Sequence, residues 1–147
     1  MFYPLVALFT AILPLHRTGE LPQPKYVDLD PRAIRLAAFF DRYQCPAPYY
    51  VGDYLRAADS SGIDYRLLPA ISVSESTCGQ HSSVNNYWGW DNLQTTFESV
   101  PHGIHFIAQE LSGGRWYRGK TLKQKLEAYN PDPKYARSVQ RLMHEIE

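Results

Sequence analysis

Apolar side chains recur at three- and four-residue steps in six stretches between Asp30 and the C-terminus, and this pattern predicts six helices. The first opens at Asp30-Pro31, an N-cap followed by proline at the first helical position. It carries Leu36, Phe39, Phe40 and Tyr43 and stops at Cys45-Pro46-Ala47-Pro48. The second runs from about Tyr50 to Ser60 with Val51, Tyr54, Leu55 and Ala58 on one face, and Ser61-Gly62 ends it. Asp64 is placed to cap the third, where Pro69 forces either a kink or a late start. That helix extends to Ser76, and Gly79 is its expected C-terminal glycine. Residues 80–98 lose the period and predict loops, either wholly irregular or with a short hairpin. The period returns from Ser99 to Leu111 through Ile104, Ile107, Ala108 and Leu111. Thr121-Leu-Lys-Gln124 is a capping box for a short helix, and Asp132-Pro133 starts the last one, with Tyr135, Val139, Leu142 and Ile146 in register.

The chain before Asp30 patterns differently. Residues 2–15 carry no charge; as a helix of about 1.5 Å per residue they would span roughly 21 Å, short of a bilayer core. The length suits the apolar part of an export signal or an anchor, although no basic segment precedes it. Residues 16–29 are polar, contain Pro22 and Pro24, and read as a linker. The 147 residues therefore divide into an apolar start, a linker and one domain over 30–147, expected to be monomeric.

Composition narrows the function classes. Fifteen basic and fifteen acidic side chains cancel, which gives no support for nucleic acid as a partner. Eleven tyrosines bring amphipathic rings suited both to packing and to a groove that stacks on sugar faces. Cys45 and Cys78 lack metal-ligand spacing and are placed to pair if the protein is exported; unpaired thiols are the alternative. No metal or other cofactor is expected. His102 and His105 lie three apart on a helix without a third ligand.

The chemistry concentrates around Glu75. Pro69-Ala-Ile-Ser-Val-Ser-Glu75 sets one carboxyl at the end of an otherwise apolar helical segment. Apolar surroundings disfavour the ionised form, and the negative pole of the helix dipole acts in the same direction. Such a group is suited to general acid catalysis. Just beyond it, Asn85-Asn86-Tyr87-Trp88-Gly89-Trp90 offers amides for N-acetyl groups and rings for stacking, with Asn85, Asn86, Trp88 and Trp90 as expected contacts. A tight turn with two core tryptophans is the alternative. Gly114 to Thr121 matches the Walker A pattern letter for letter, yet a helical segment precedes it where a phosphate loop needs a buried strand.

Read together, Leu68-Pro-Ala-Ile…Glu75-Ser-Thr-Cys-Gly79, Asn85-Asn86…Gly89-Trp90, Tyr117-Arg-Gly119-Lys-Thr121 and Tyr129-Asn130-Pro131 resemble a family of bacterial lysozyme-like domains. These are related to autolysin glucosaminidases and are described as mannosyl-glycoprotein endo-β-N-acetylglucosaminidase-like. The resemblance covers roughly Pro31 to the C-terminus, with the blocks in the family's order. It implies a mainly α, lysozyme-like α+β fold with a small irregular or β-hairpin element and a groove for peptidoglycan glycan strands. It also implies a secreted or envelope location. By this likeness Glu75 is the proton donor to a β-1,4 bond next to N-acetylglucosamine, while Asn86, Trp90, Tyr117 and Tyr129 line or support the groove.

The second catalytic group stays open. Asp91 and Glu98 are the nearest carboxylates after Glu75, and the substrate's own N-acetyl group is the alternative nucleophile. The segment from Leu111 to Trp116 is short for the family, which would open the groove. Hydrolysis, with internal transglycosylation as a variant outcome, is the first expectation. A glycan-binding or envelope-scaffolding domain without turnover is the second.

Overall fold

The computed structural model describes residues 30–82 and 84–147. The apolar segment 2–15 and the linker 16–29, with the expectations of signal, anchor and membrane association placed on them, lie outside the described residues. Within them the protein is mainly helical: α1 (Pro31–Arg42), α2 (Val51–Ser61), α3 (Leu67–Ser76), α4 (Val100–Gly113), α5 (Leu122–Tyr129) and α6 (Tyr135–His144). No helix among the described residues is long and apolar enough to cross a membrane.

Local chemistry sets the boundaries. Asp30 caps α1 by accepting from the Arg32 amide at 2.9 Å, and Ser99 caps α4 through the His102 amide. The capping box at Thr121 and Gln124 is formed in both directions. Pro69 resolves as a late start: α3 begins at Leu67, so the proline stands in the first turn, where its missing N–H has no helical partner to lose. Asp64 organises the turn before α3, accepting from the Arg66 amide at 2.9 Å, and is not its cap. The end of α3 differs from expectation as well. The left-handed cap is Thr77 (φ 50°), followed by Cys78 (φ 52°) and Gly79 (φ 95°).

No strand occurs among the described residues, so of the two expected forms the hairpin is absent. Residues 77–82 and 84–99 are instead irregular, with a short 3₁₀ turn at Trp90–Leu93. Side-chain bonding to the backbone takes the place of a ladder there. The fully buried Asn86 accepts from the Trp90 amide and donates to the Trp90 and Thr95 carbonyls, all at 2.9 Å. Asn85 donates to the Phe97 and Glu98 carbonyls at 3.2 Å.

α2 packs on α4 and α3 on α6, with α1 against α2 and α5 against α6. The anticipated faces are the buried ones: Leu36, Phe39 and Phe40 on α1, Ile104, Ile107 and Leu111 on α4, Val139 and Leu142 on α6. Trp88 has no exposed surface and sits in their midst, its indole N–H donating to the Leu68 carbonyl at 3.2 Å. Cys45 and Cys78 form a disulfide with Cα atoms 5.5 Å apart, tying the connection after α1 to the end of α3.

Candidate functional site

Glu75 is the penultimate residue of α3 and projects where the helix meets the irregular loop. Its carboxyl helps line a cavity of about 340 Å³ with Ser76, His81, Ser82, Asn86, Gly89 and Asn92. A second cavity of about 320 Å³ is walled by Trp90, Trp116, Tyr117 and Tyr129, with Asp91 at its edge. Gly89 and Asn92 border both, so the two are adjoining lobes, one acidic and one aromatic.

The glycine is required at this junction. A Cβ on Gly89 would lie 2.8 Å from Glu75 Oε2, and its φ of 61° is left-handed. Gly79 is equally constrained, because a Cβ there would meet the Tyr87 ring at 2.5 Å.

Burial dominates the ionisation of Glu75. The residue as a whole is exposed, yet the protein packed around the carboxyl removes enough water to raise its pKa, opposed in part by the Tyr135 hydroxyl. That hydroxyl is buried and makes no well-formed hydrogen bond among the described residues. Burial and the nearby Glu75 charge together hold the Tyr135 and Tyr129 phenols neutral, both pKa values being raised. The two rings stack at 6.0 Å, and Tyr129 is fixed by donating to the Trp88 carbonyl at 2.5 Å. Trp90 completes the cluster, 5.8 Å from Tyr129 and 6.0 Å from Tyr117 between centroids.

The structure therefore brings together Glu75, Trp90, Tyr117, Tyr129 and Asp91 of the residues named from sequence. It corrects others. Trp88 is fully buried and belongs to the core, so its ring has no surface to offer a ligand; Asn86 borders the Glu75 lobe but its side chain is fully buried and braces the loop. Asn85 spends its amide on the same bracing. Glu98 borders neither lobe; its side chain is 90% exposed and approaches only His102, at 3.9 Å. Asp91 borders the aromatic lobe and accepts from Thr95 Oγ1 at 3.1 Å, which leaves Glu75 as the only carboxylate among the described residues lining its own lobe.

Two contributors went unnoticed in the sequence. Tyr135 reads as one of four apolar-face residues on α6, and nothing in that spacing points toward Glu75. Trp116, 66% exposed, was visible only as an aromatic inside the Walker-like segment. That segment follows α4 instead of a strand, and the Thr121 hydroxyl is committed to the helix cap, so it is no nucleotide loop. His102 and His105 face different carboxylates, Glu98 and Asp53. No group of three His, Cys, Asp or Glu among the described residues is placed to hold a metal ion. Compared with protein families, curated proteins and solved structures, the chain matches none of them.

Proposed function

We propose that the chain is a peptidoglycan hydrolase cleaving β-1,4 glycosidic bonds next to N-acetylglucosamine, with Glu75 as general acid. The observation that carries this reading is a carboxyl of raised pKa set in one lobe of a groove whose adjoining lobe is walled by aromatic rings. A glycan strand laid across Gly89 would rest sugar faces on Trp90 and Trp116, with the half-buried Tyr129 and the buried Tyr117 behind them, and present a glycosidic oxygen to Glu75. The proton held by Glu75 passes to the leaving oxygen as the bond breaks. With no second carboxylate among the described residues lining the same lobe, the substrate's N-acetyl oxygen is the better nucleophile than a protein group, and Asp91 is the remaining protein alternative.

The disulfide supports an exported protein, because such bonds persist in oxidising compartments; a secreted or envelope-bound monomer is the corresponding location and state. The lone carboxylate also supports a second reading, a glycan-binding or scaffolding domain without turnover. Release of reducing ends from purified peptidoglycan by the wild-type chain and Glu75→Gln separates the two. Hydrolysis predicts activity that falls by about 10²–10⁴-fold in the variant. Borohydride labelling of the new ends identifies the bond. Binding without ends or anhydro products in either protein would establish the second reading.

A further inference from the structure

We infer that the loop between α4 and α5 is an anion-recognising rim of the groove, and that it takes the carboxylates carried by the side chains of a glycan strand. This rests on the glycan reading of the groove above. Between Leu111 and Leu126 the chain holds five cations and no carboxylate, although its overall formal charge is zero. Among the described residues elsewhere, Arg32, Arg42, Arg56, Arg66 and Arg141 each hold an acidic partner, and the unpaired Arg35, Lys134 and Arg137 are scattered over α1 and α6 with its N-cap instead of gathered in one carboxylate-free loop. Arg115, Arg118 and Lys120 hold none among the described residues, and all three are exposed. Arg118 is steered by its bond to the Gly113 carbonyl at 3.1 Å. Arg115 lies over the Trp116 ring, 4.7 Å from the centroid. Trp116 is a wall of the aromatic lobe, so the cationic rim and the stacking surface are continuous.

Uncommitted cations beside exposed aromatics suit a ligand that alternates ring faces with negative charge. A neutral glycan would use the rings and leave the rim idle. A strand bearing carboxylates along its length would use both. Guanidinium groups favour carboxylate partners because their donors match the two oxygens. The Gly114–Thr121 segment, which resembles a phosphate loop in letters only, thus has its basic residues on a surface instead of in a cradle.

The test is sedimentation of the full chain, in a Glu75→Gln background so that cleavage does not alter the ligand, with purified peptidoglycan sacculi. Three ligands are compared: untreated sacculi, sacculi with carboxylates converted to neutral amides, and sacculi stripped of phosphate polymers with hydrofluoric acid. Arg115→Gln combined with Lys120→Gln should weaken binding to untreated sacculi by roughly fivefold, in line with two exposed charge pairs. Amidated sacculi should bind the parent as weakly as the double variant, with no further loss on combining the two changes. Arg115→Lys with Lys120→Arg keeps the charge and should retain most binding, which separates charge from a folding defect. Raising ionic strength from about 0.1 M to about 1 M should erase the difference between parent and variant. Unchanged binding in Arg115→Gln/Lys120→Gln, or on amidation, overturns the inference. Loss on phosphate stripping alone would overturn the carboxylate assignment. Reducing-end release reports on the hydrolase reading separately, since charge-dependent binding is measured without turnover.

Discussion

Glu75 stands where two requirements conflict. A carboxyl whose pKa is raised by desolvation costs the folded protein stability once the pH rises high enough to ionise it. Between the ordinary Glu pKa and the raised folded value, the native state binds more protons than the unfolded chain, so stability falls as pH rises through that window. Glu75→Gln removes the linkage. Thermal unfolding should therefore show the variant more stable than the parent above the window, with the gap shrinking as acid protonates both states; a pH-independent gap would refute this. The partner across from it is Tyr135, whose buried hydroxyl lacks a hydrogen bond. Tyr135→Phe removes an unsatisfied group, which should leave Tm unchanged or raised, the orphaned hydroxyl costing about 1–3 kcal/mol. At this scale the sequence made legible what depends on type and order: Glu75, Trp90, Tyr117 and Tyr129. It could not separate a ligand-facing amide from a bracing one, because Asn86 is buried by the path of residues 86–95 and that path has no period to read.

At the scale of elements, the helices were readable because caps and faces are local. Asp30-Pro31, Ser99 and the Thr121–Gln124 box act within one turn of themselves, and each ends up where its chemistry placed it. The choice between an irregular segment and a hairpin was open for the same reason in reverse. Residues 80–98 carry neither alternation nor helical spacing, so the loop's form is decided by side-chain bonds and by Trp88 entering the core. The end of α3 depends on a distant element as well, the disulfide to Cys45. Its 33-residue separation gives roughly 3–4 kcal/mol on the chain-entropy account. Cys45→Ala with Cys78→Ala should lower the denaturation midpoint by that energy divided by the m-value. Because Cys78 is three residues after Glu75, the same variant should lose activity earlier in denaturant than it loses helical signal; coincident losses would show that the bridge serves global stability alone.

The molecule as a whole joins core and groove through one residue. Trp88 meets Tyr54 of α2 edge-on at 6.2 Å and Phe97 at 6.4 Å, donates to Leu68 at the start of α3, and through its carbonyl accepts from Tyr129 of α5. It is flanked in sequence by Tyr87, which packs over Gly79, and by Gly89, which abuts Glu75. A defect at Trp88 therefore reaches both lobes by displacing the loop that separates them. Trp88→Ala should cost about 3–5 kcal/mol as a large cavity in the core. Trp88→Phe keeps an aromatic but leaves the Leu68 carbonyl without its donor, so a smaller loss is expected. Both should unfold in a single transition, since the helices share this centre. The separation of roles follows from comparing activity with the folded fraction. In the Trp88 variants activity should track folding as temperature rises, whereas Glu75→Gln should abolish activity at temperatures where the protein remains fully folded. A Trp88→Phe protein that is folded but inactive would instead mean that the indole ring itself holds the groove in its working shape.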